Sequence, residues 1–387
     1  MKTSSQLSLF GGKLIIGLMS GTSLDGVDAA LLTTDGENIE SFGASCFVPF
    51  SEDEKTVLRE TMMQALAWGF KGAPPNIFAR AEVITEDIHA RAVAKLLKQT
   101  GLSPSDIDLI GFHGQTVLHH APKIGVKGQT LQLGSGQRLA DTTGIQTVYD
   151  FRSSDVAAGG QGAPLAPIYH KALLARSGFG AETAILNIGG VSNITLMDTG
   201  GELFASDCGP GNGPLDQWIS KHGLGDYDKD GQTCRKGTPD IARLEGWLQR
   251  AFFRQAAPKS ADRYDFDVLS SMHGLGAEDG AATLAMFCAL GVKDTLDKLC
   301  GREETQPTRL IVCGGGRRNP IIMAALRECL RIEITSSDIY SWDGDALEAQ
   351  AFAYMAERTV RGLPLSFPGT TGAPNAMCGG VITPPAK

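Results

Sequence analysis

The sequence predicts an α/β protein assembled from two similar domains, and three observations carry the prediction. The first is a glycine-punctuated strand–turn–strand unit near the start: Ile15-Ile16-Gly17-Leu18-Met19-Ser20-Gly21-Thr22-Ser23-Leu24-Asp25-Gly26-Val27-Asp28-Ala29-Ala30-Leu31-Leu32. The second is a unit of the same kind near the middle: Ile185-Leu186-Asn187-Ile188-Gly189-Gly190-Val191-Ser192-Asn193-Ile194-Thr195-Leu196-Met197. The third is that helical periodicity and short apolar strands follow each unit, as an α/β domain requires. Turns of Gly, Ser and Thr or Asn bring backbone N–H and hydroxyl donors close to an anion without side-chain bulk. Two such turns about half a chain apart point to a duplicated domain gripping a phosphate chain from both sides.

The elements follow in order. Residues 51–69 and 79–100 read as helices; in the second, Ile84, Ile88, Ala92, Val93, Leu96 and Leu97 recur at helical spacing. Gly101 closes that helix and Ser103-Pro104-Ser105 starts the next segment. Leu109-Ile110-Gly111-Phe112 is a short buried strand ending in His113-Gly114-Gln115-Thr116. The loop-rich stretch 150–168 marks the domain boundary. Beyond the second glycine unit, 240–256, 277–299, 319–331 and 345–360 read as helices and Leu310-Ile311-Val312-Cys313 as a strand. The tail from Gly369 is too short for a domain and is expected to pack back on the first. Residues 1–149 with 369–387 therefore form the first expected α/β domain, and 150–368 the second.

With 387 residues the chain can build two full cores. Its 48 glycines lie in turns between apolar runs, not in a low-complexity tract. A formal charge of −8 argues against a general nucleic-acid or anionic-membrane binder, but leaves room for an anionic small substrate held by local donors. The eight cysteines show no CxxC pairing and sit mostly in apolar stretches, the pattern of buried free thiols in a reducing compartment. Met1 to Phe10 lack the apolar stretch of a signal peptide, and no apolar run approaches the roughly 20 residues that span a bilayer. A cytoplasmic location is expected.

Asp207 is the foremost candidate for chemistry. It lies in Phe204-Ala205-Ser206-Asp207-Cys208-Gly209-Pro210-Gly211-Asn212-Gly213, an acidic residue on a strand before a glycine turn and a helix. Such residues face the ligand crevice of open α/β sheets, although the same residue could simply cap the turn. His119 and His120 are adjacent and point apart on a strand, so a structural role outweighs metal binding; His113, beside Gly114, is better placed to contact substrate. Arg152 and Asp155 lead into Gly159-Gly160-Gln161-Gly162 and could grip a carboxylate and a sugar hydroxyl, or pair with each other. Gly314-Gly315-Gly316, ahead of Asn319 and a helix, suits backbone contact with a nucleotide. No GxxxxGK[ST] motif is present, and Gly209-x-Gly211-x-Gly213 lacks the spacing of a dinucleotide fingerprint.

Together these residues closely resemble one family, the anhydro-N-acetylmuramic acid kinases, within the superfamily of acetate kinase, sugar kinases, heat-shock ATPases and actin. The resemblance is carried by Met19 through Asp28, Phe112-His113-Gly114-Gln115-Thr116, Asp150-Phe151-Arg152 through Pro164, and Asn187-Ile188-Gly189-Gly190. It continues in Asp207 through Asn212, Cys313 through Gly316, Glu348-Ala349-Gln350-Ala351-Phe352-Ala353 and Thr371-Gly372-Ala373.

The resemblance implies a duplicated ribonuclease-H-like fold with an interdomain active-site cleft where ATP and sugar meet, and domain closure that excludes water. It implies cleavage of the 1,6-anhydro bridge of anhydro-N-acetylmuramate by water while O6 is phosphorylated, in peptidoglycan recycling. Asp207 would be the general base. Gly21, Thr22, Ser23, Leu24, Asp25, Gly26, Val27, Asp28, Gly189, Gly190, Gly314, Gly315 and Asn319 would contact ATP. His113, Arg152, Asp155 and Glu348 would hold the sugar, and Asp25 or Asp28 a Mg²⁺ ion, directly or through water. A homodimer is also implied. One departure stands out: the family's Lys-Ser-Thr-Gly-Arg-Glu segment corresponds to Lys259-Ser260-Ala261-Asp262-Arg263-Tyr264-Asp265-Phe266, where the carboxylate is displaced. The competing readings are a kinase of another sugar or carboxylate, with Asp207 deprotonating a hydroxyl, and a non-catalytic ATP-binding sensor.

Overall fold

A computed structural model describes residues 11–122, 125–261, 266, 268–301 and 306–386. The expectation for Met1 to Phe10 and the stretch Asp262 to Asp265 lie outside the described residues. The chain divides into two compact units, one formed by residues 1–176, 348–368 and 373–387 and the other by 177–347 and 369–372.

The first unit is built on β1 (Lys13–Ser20), β2 (Gly26–Thr34) and β3 (Ile39–Pro49), an antiparallel meander, followed by α1 (Glu52–Trp68) and α2 (Ile77–Thr100). Next come β4 (Leu109–His120), β5 (Gln129–Leu133), α3 (Gly136–Thr143), β6 (Thr147–Tyr149), α4 (Ser153–Ala157) and α5 (Pro167–Arg176). β4 lies parallel to β1, and β6 parallel to β4. β4 runs well beyond the short strand expected, because His119 and His120 pair with Thr130 and Gln129 in an antiparallel hairpin with β5.

Local chemistry explains the helix limits. Ser51 accepts from the Glu54 N–H while the Glu54 carboxylate accepts from the Ser51 N–H, a capping box that starts α1, and left-handed Gly69 ends it. Left-handed Gly101 ends α2 as expected.

The second unit repeats the plan. β7 (Thr183–Ile188), β8 (Val191–Met197) and β9 (Leu203–Pro210) form the antiparallel meander. α6 (Gly213–Lys221), α7 (Ile241–Leu248), α8 (Ala251–Arg254) and α9 (Ala277–Leu299) follow, then β10 (Arg309–Cys313), α10 (Pro320–Leu330) and β11 (Glu333–Ser336). β10 is parallel to both β7 and β11. The helix expected over 240–256 is two short helices, because Arg250 adopts an extended conformation between them.

The two sheets share one strand order, third–second–first–fourth–fifth: β3-β2-β1-β4-β6 in one unit and β9-β8-β7-β10-β11 in the other. This is the ribonuclease-H-like order, present twice. Each sheet has its own core. Ile16, Leu18, Val27, Ala29, Ile110 and Phe112 pack under α1 and α2 in the first. Leu186, Ile194, Trp218, Phe253, Phe287 and Leu310 pack in the second.

The unit boundary differs from the one expected at residue 150. Residues 150–176 belong to the first unit, and so does nearly all of α11 (Leu347–Val360). The reason is a notch in the first sheet. A Cβ at Gly17 would stand 1.7 Å from the Ala349 carbonyl oxygen, and one at Gly111 2.1 Å from that of Phe352. Only glycine lets the helix backbone approach so closely. The tail returns to the same unit, where β12 (Val381–Thr383) pairs antiparallel with β6.

Candidate active site

In the first unit, the β1–β2 turn is rigidly seated. Leu24 takes a left-handed φ of 61° with its side chain buried in the core, and its N–H reaches the Gly21 carbonyl at 3.3 Å. A bulky residue held at positive φ is backbone strain that the surrounding packing enforces. Gln115, fully buried on β4, donates from Nε2 to the Gly21 carbonyl at 3.2 Å, and Ser20 Oγ donates to the Gly114 carbonyl at 3.2 Å.

The expected phosphate residues therefore separate. Val27 is a core side chain, and Gly26 is required by β3, since its Cβ would lie 2.3 Å from the Val48 carbonyl oxygen. Gly21, Thr22 and Ser23 form the accessible edge of the turn, with Asp25 exposed beside them and half-buried Asp28 on β2.

A second constellation in this unit joins three of the expected sugar residues through hydrogen bonds. Arg152 donates from Nε to His113 Nε2 at 3.0 Å and from a terminal nitrogen to the Gly162 carbonyl at 2.7 Å. Because Nε2 accepts, the neutral ring carries its proton on Nδ1. Burial, with the Arg152 charge adding to it, holds the His113 pKa well below the ordinary value, so the imidazole is neutral at physiological pH. Phe352 of α11 packs on the ring with centroids 4.6 Å apart.

Asp155, expected to contact the sugar, also organises the loop that follows it. It is buried, its Oδ2 accepts the Gly162 N–H at 2.7 Å, and its Oδ1 accepts from Ser366 Oγ. A Cβ at Gly160 would sit 2.2 Å from Oδ2, so the loop wraps tightly around this carboxylate. Asp155 thus shapes the carbonyl that holds Arg152. Glu348 opens α11 with an accessible side chain; surrounding protein raises its pKa and the Arg152 charge opposes the shift.

His119 and His120 have structural settings. His119 Nδ1 lies 3.0 Å from Thr130 Oγ1, and the His120 ring meets Phe70 edge-on. Among the described residues no group of three or more His, Cys, Asp or Glu could hold a metal ion.

In the second unit the glycines converge on the β7–β8 turn. Gly211 and Gly213 donate to the Gly190 carbonyl at 3.0 and 3.1 Å, and Asn212 donates to the Gly189 carbonyl at 2.7 Å. Cβ atoms at Gly211 and Gly316 would stand 2.2 Å from the Gly189 oxygen and 2.3 Å from Ile188 Cγ2. Gly314, at φ 74°, lies against Asn187. Three chain segments are thereby stacked, leaving Gly189, Gly190 and Gly315 with accessible backbone. Asn319 starts the helix that follows: its Oδ1 accepts from the Ile321 and Ile322 N–H groups and caps α10.

Asp207 lies within β9 opposite Asn193, next to a register shift, and only 7% of it is exposed. Its Oδ2 accepts the Ala261 N–H at 2.8 Å and its own N–H donates to the Lys259 carbonyl at 3.0 Å. A carboxylate held by a backbone N–H is fixed in direction without being neutralised. The sequence reading missed this strap, and also Gln115, although both lie in quoted motifs. Neither carries a local signal, because their partners are distant in sequence.

Duplicated sheets, paired glycine turns and one fixed, nearly buried carboxylate define an α/β protein of the phosphotransferase type. The chain belongs to the anhydro-N-acetylmuramic acid kinase family, whose model matches residues 13–385. It is 47% identical over 368 residues to the anhydro-N-acetylmuramic acid kinase of Mesorhizobium japonicum, covering 95% of this chain and 98% of that one. The kinase of the same name from Rhizobium rhizogenes is 48% identical over 366 residues, covering 94% and 97%. That from Caulobacter vibrioides is 47% identical over 368 residues, covering 95% and 98%.

Proposed function

We propose that the protein is an ATP-dependent kinase that hydrolyses the 1,6-anhydro bond of 1,6-anhydro-N-acetylmuramate and phosphorylates O6, giving N-acetylmuramate 6-phosphate and ADP in peptidoglycan recycling. The observation that carries the reading is Asp207, held through Oδ2 by the Ala261 N–H on a strand of the sheet that bears the second glycine turn. Asp207 takes a proton from the water whose oxygen attacks the anomeric carbon. The bond from that carbon to O6 breaks, and O6 takes the γ-phosphoryl group as the bond to the β-phosphate oxygen breaks. Because the phosphoryl group caps the departing oxygen, no carboxylic acid partner is needed, unlike the paired carboxylates of ordinary glycosidases.

Phosphoryl transfer calls for positioning and charge neutralisation more than for covalent help. Backbone of Gly21 to Ser23 and of Gly189, Gly190, Gly314 and Gly315 is suited to the phosphates. Mg²⁺ at nucleotide sites takes one or two carboxylates and keeps several waters. Exposed Asp25 and half-buried Asp28 beside the turn fit that donor set and would hold the ion, which when bound offsets phosphate charge. Arg152, oriented by His113 and Gly162, suits the lactyl carboxylate, with Glu348 and His113 Nδ1–H toward sugar hydroxyls and carbonyls. Cytoplasmic residence is supported by all eight cysteines being free thiols. A homodimer is part of the same proposal, and sedimentation equilibrium tests it.

The reaction is tested with ATP, Mg²⁺ and the anhydro sugar in ¹⁸O water. The expected product gains one phosphoryl group and one water, carries the label at C1, and is not formed by Asp207→Asn. Product without label, or turnover retained by Asp207→Asn, would remove Asp207 from the role of base.

A further inference from the structure

Behind Asp207 lies a buried cation that the steps above do not use. Lys259 is 2% exposed, and its chain neighbours tie it to β9: the Lys259 N–H donates to Ser206 Oγ at 3.2 Å, and its carbonyl accepts from the Asp207 N–H. Residues 259–261 thus run as a strap alongside Ser206 and Asp207, ending in the Ala261 N–H on Asp207 Oδ2. The side chain turns inward. Its Nζ donates to the Phe252 carbonyl at 3.2 Å and sits 4.0 Å from the Phe252 ring centroid and 5.6 Å from that of Phe253.

A desolvated ammonium requires compensation from carbonyls, aromatic faces or an anion. The anion here is shared. Asp294 Oδ2 stands 3.8 Å from Lys259 Nζ and 2.6 Å from Lys298 Nζ, both distances measured to the same carboxylate oxygen. Two cations therefore face one carboxylate of α9. On the β9 side the described titratable neighbours are Asp207 and Cys208, with Cys288 of α9 beside Cys208. Burial pushes both thiols up, so they stay neutral. Among these described groups the charge balances only when Asp207 is ionised.

We propose that Lys259 is a positioning residue for Asp207: its buried ammonium anchors the strap that aims the carboxylate and supplies the positive charge that keeps it ionised for proton abstraction. Loss of water and the nearby Lys298 lower the Lys259 pKa to about 8, still cationic at neutral pH. The assignment rests on the reading of Asp207 as the base.

The test is the pH profile of kcat in the full chain, with Asp207→Asn run in parallel. Lys259→Met should lower kcat tenfold or more while KM for ATP and for the anhydro sugar stays within twofold. Its acid limb should move to higher pH, and Lys259→Arg should move that limb back toward the parent. Asp294→Asn removes the shared anion and leaves the strap intact, so it should move the acid limb the other way, to lower pH. That variant decides the matter if Lys259→Met does not fold. Acid limbs unchanged in the folded variants, with Asp207→Asn inactive, would overturn the role of Lys259 alone. Turnover retained by Asp207→Asn would overturn the base assignment beneath it.

Discussion

Gly17 and Gly111 are register partners on the parallel strands β1 and β4, and the backbone of α11 rests on both. Side by side they form a smooth floor in the sheet, which is why a helix 230 or more positions later joins the first unit. The helix in turn carries Glu348 at its start and Phe352 against His113. A structural contact of two residues without side chains thus places two candidates for sugar binding.

Gly17→Ala should be strongly destabilising, since its methyl would meet the Ala349 carbonyl at 1.7 Å. Overpacking of this kind costs about 1–3 kcal/mol or more. Gly246→Ala is the contrasting variant: it lies inside α7 with nothing within 4 Å of its Cβ, and should gain up to about 1 kcal/mol from helix propensity. Urea unfolding followed by circular dichroism measures both. Equal midpoints for the two would refute the notch.

Gly190→Ala separates folding from phosphate approach. Its Cβ meets nothing within 4 Å and its backbone lies outside the left-handed region, so stability should change by less than about 0.5 kcal/mol. A methyl on the accessible edge of the turn should nonetheless raise KM for ATP several-fold. An unaltered KM would show that ATP does not approach this turn. Gly211→Ala, whose Cβ would be 2.2 Å from the Gly189 oxygen, should lose stability as well.

Arg152→Lys removes the fork that joins His113 Nε2 to the Gly162 carbonyl, because an ammonium cannot hold both in one plane. We expect KM for the sugar to rise about tenfold, near 1.4 kcal/mol, with KM for ATP unchanged. Steady-state kinetics with each substrate varied in turn checks this. A normal sugar KM would reduce Arg152 to a loop brace.

Stability should fall on acidification below about pH 6.5. Burial lowers the pKa of His89, His119 and His170 to about 4, and that of His113 well below its ordinary value. The unfolded chain therefore binds these protons while the folded chain does not. Stability is fully present above the unfolded pKa of about 6.5 and is lost as pH falls toward about 4, by up to about 1.4 kcal/mol per pH unit for each histidine. Glu86, whose pKa burial raises, and Glu348, whose pKa the surrounding protein raises, act in the opposite sense, but they are fewer. Urea midpoints measured across this range give the slope; a midpoint that rises on acidification would contradict the assignment.

Much of this protein was legible in its sequence. Periodicity and capping residues located α1, α2, α9 and α10, because those signals are local: Ser51 with Glu54, and Gly101, act within one turn of where they stand. The two glycine turns announced the duplication, since a tight turn demands glycine wherever the chain ends up. What the sequence did not disclose depends on residues far apart along the chain. Only the tertiary structure assigned α11 to the first unit and closed the Asp155 loop against Ser366. Only it brought Lys259 beneath Asp207, 52 positions away. Local propensity settles which elements form; which backbone can approach which, and which buried charges must balance, is decided when the sheets close over their cores.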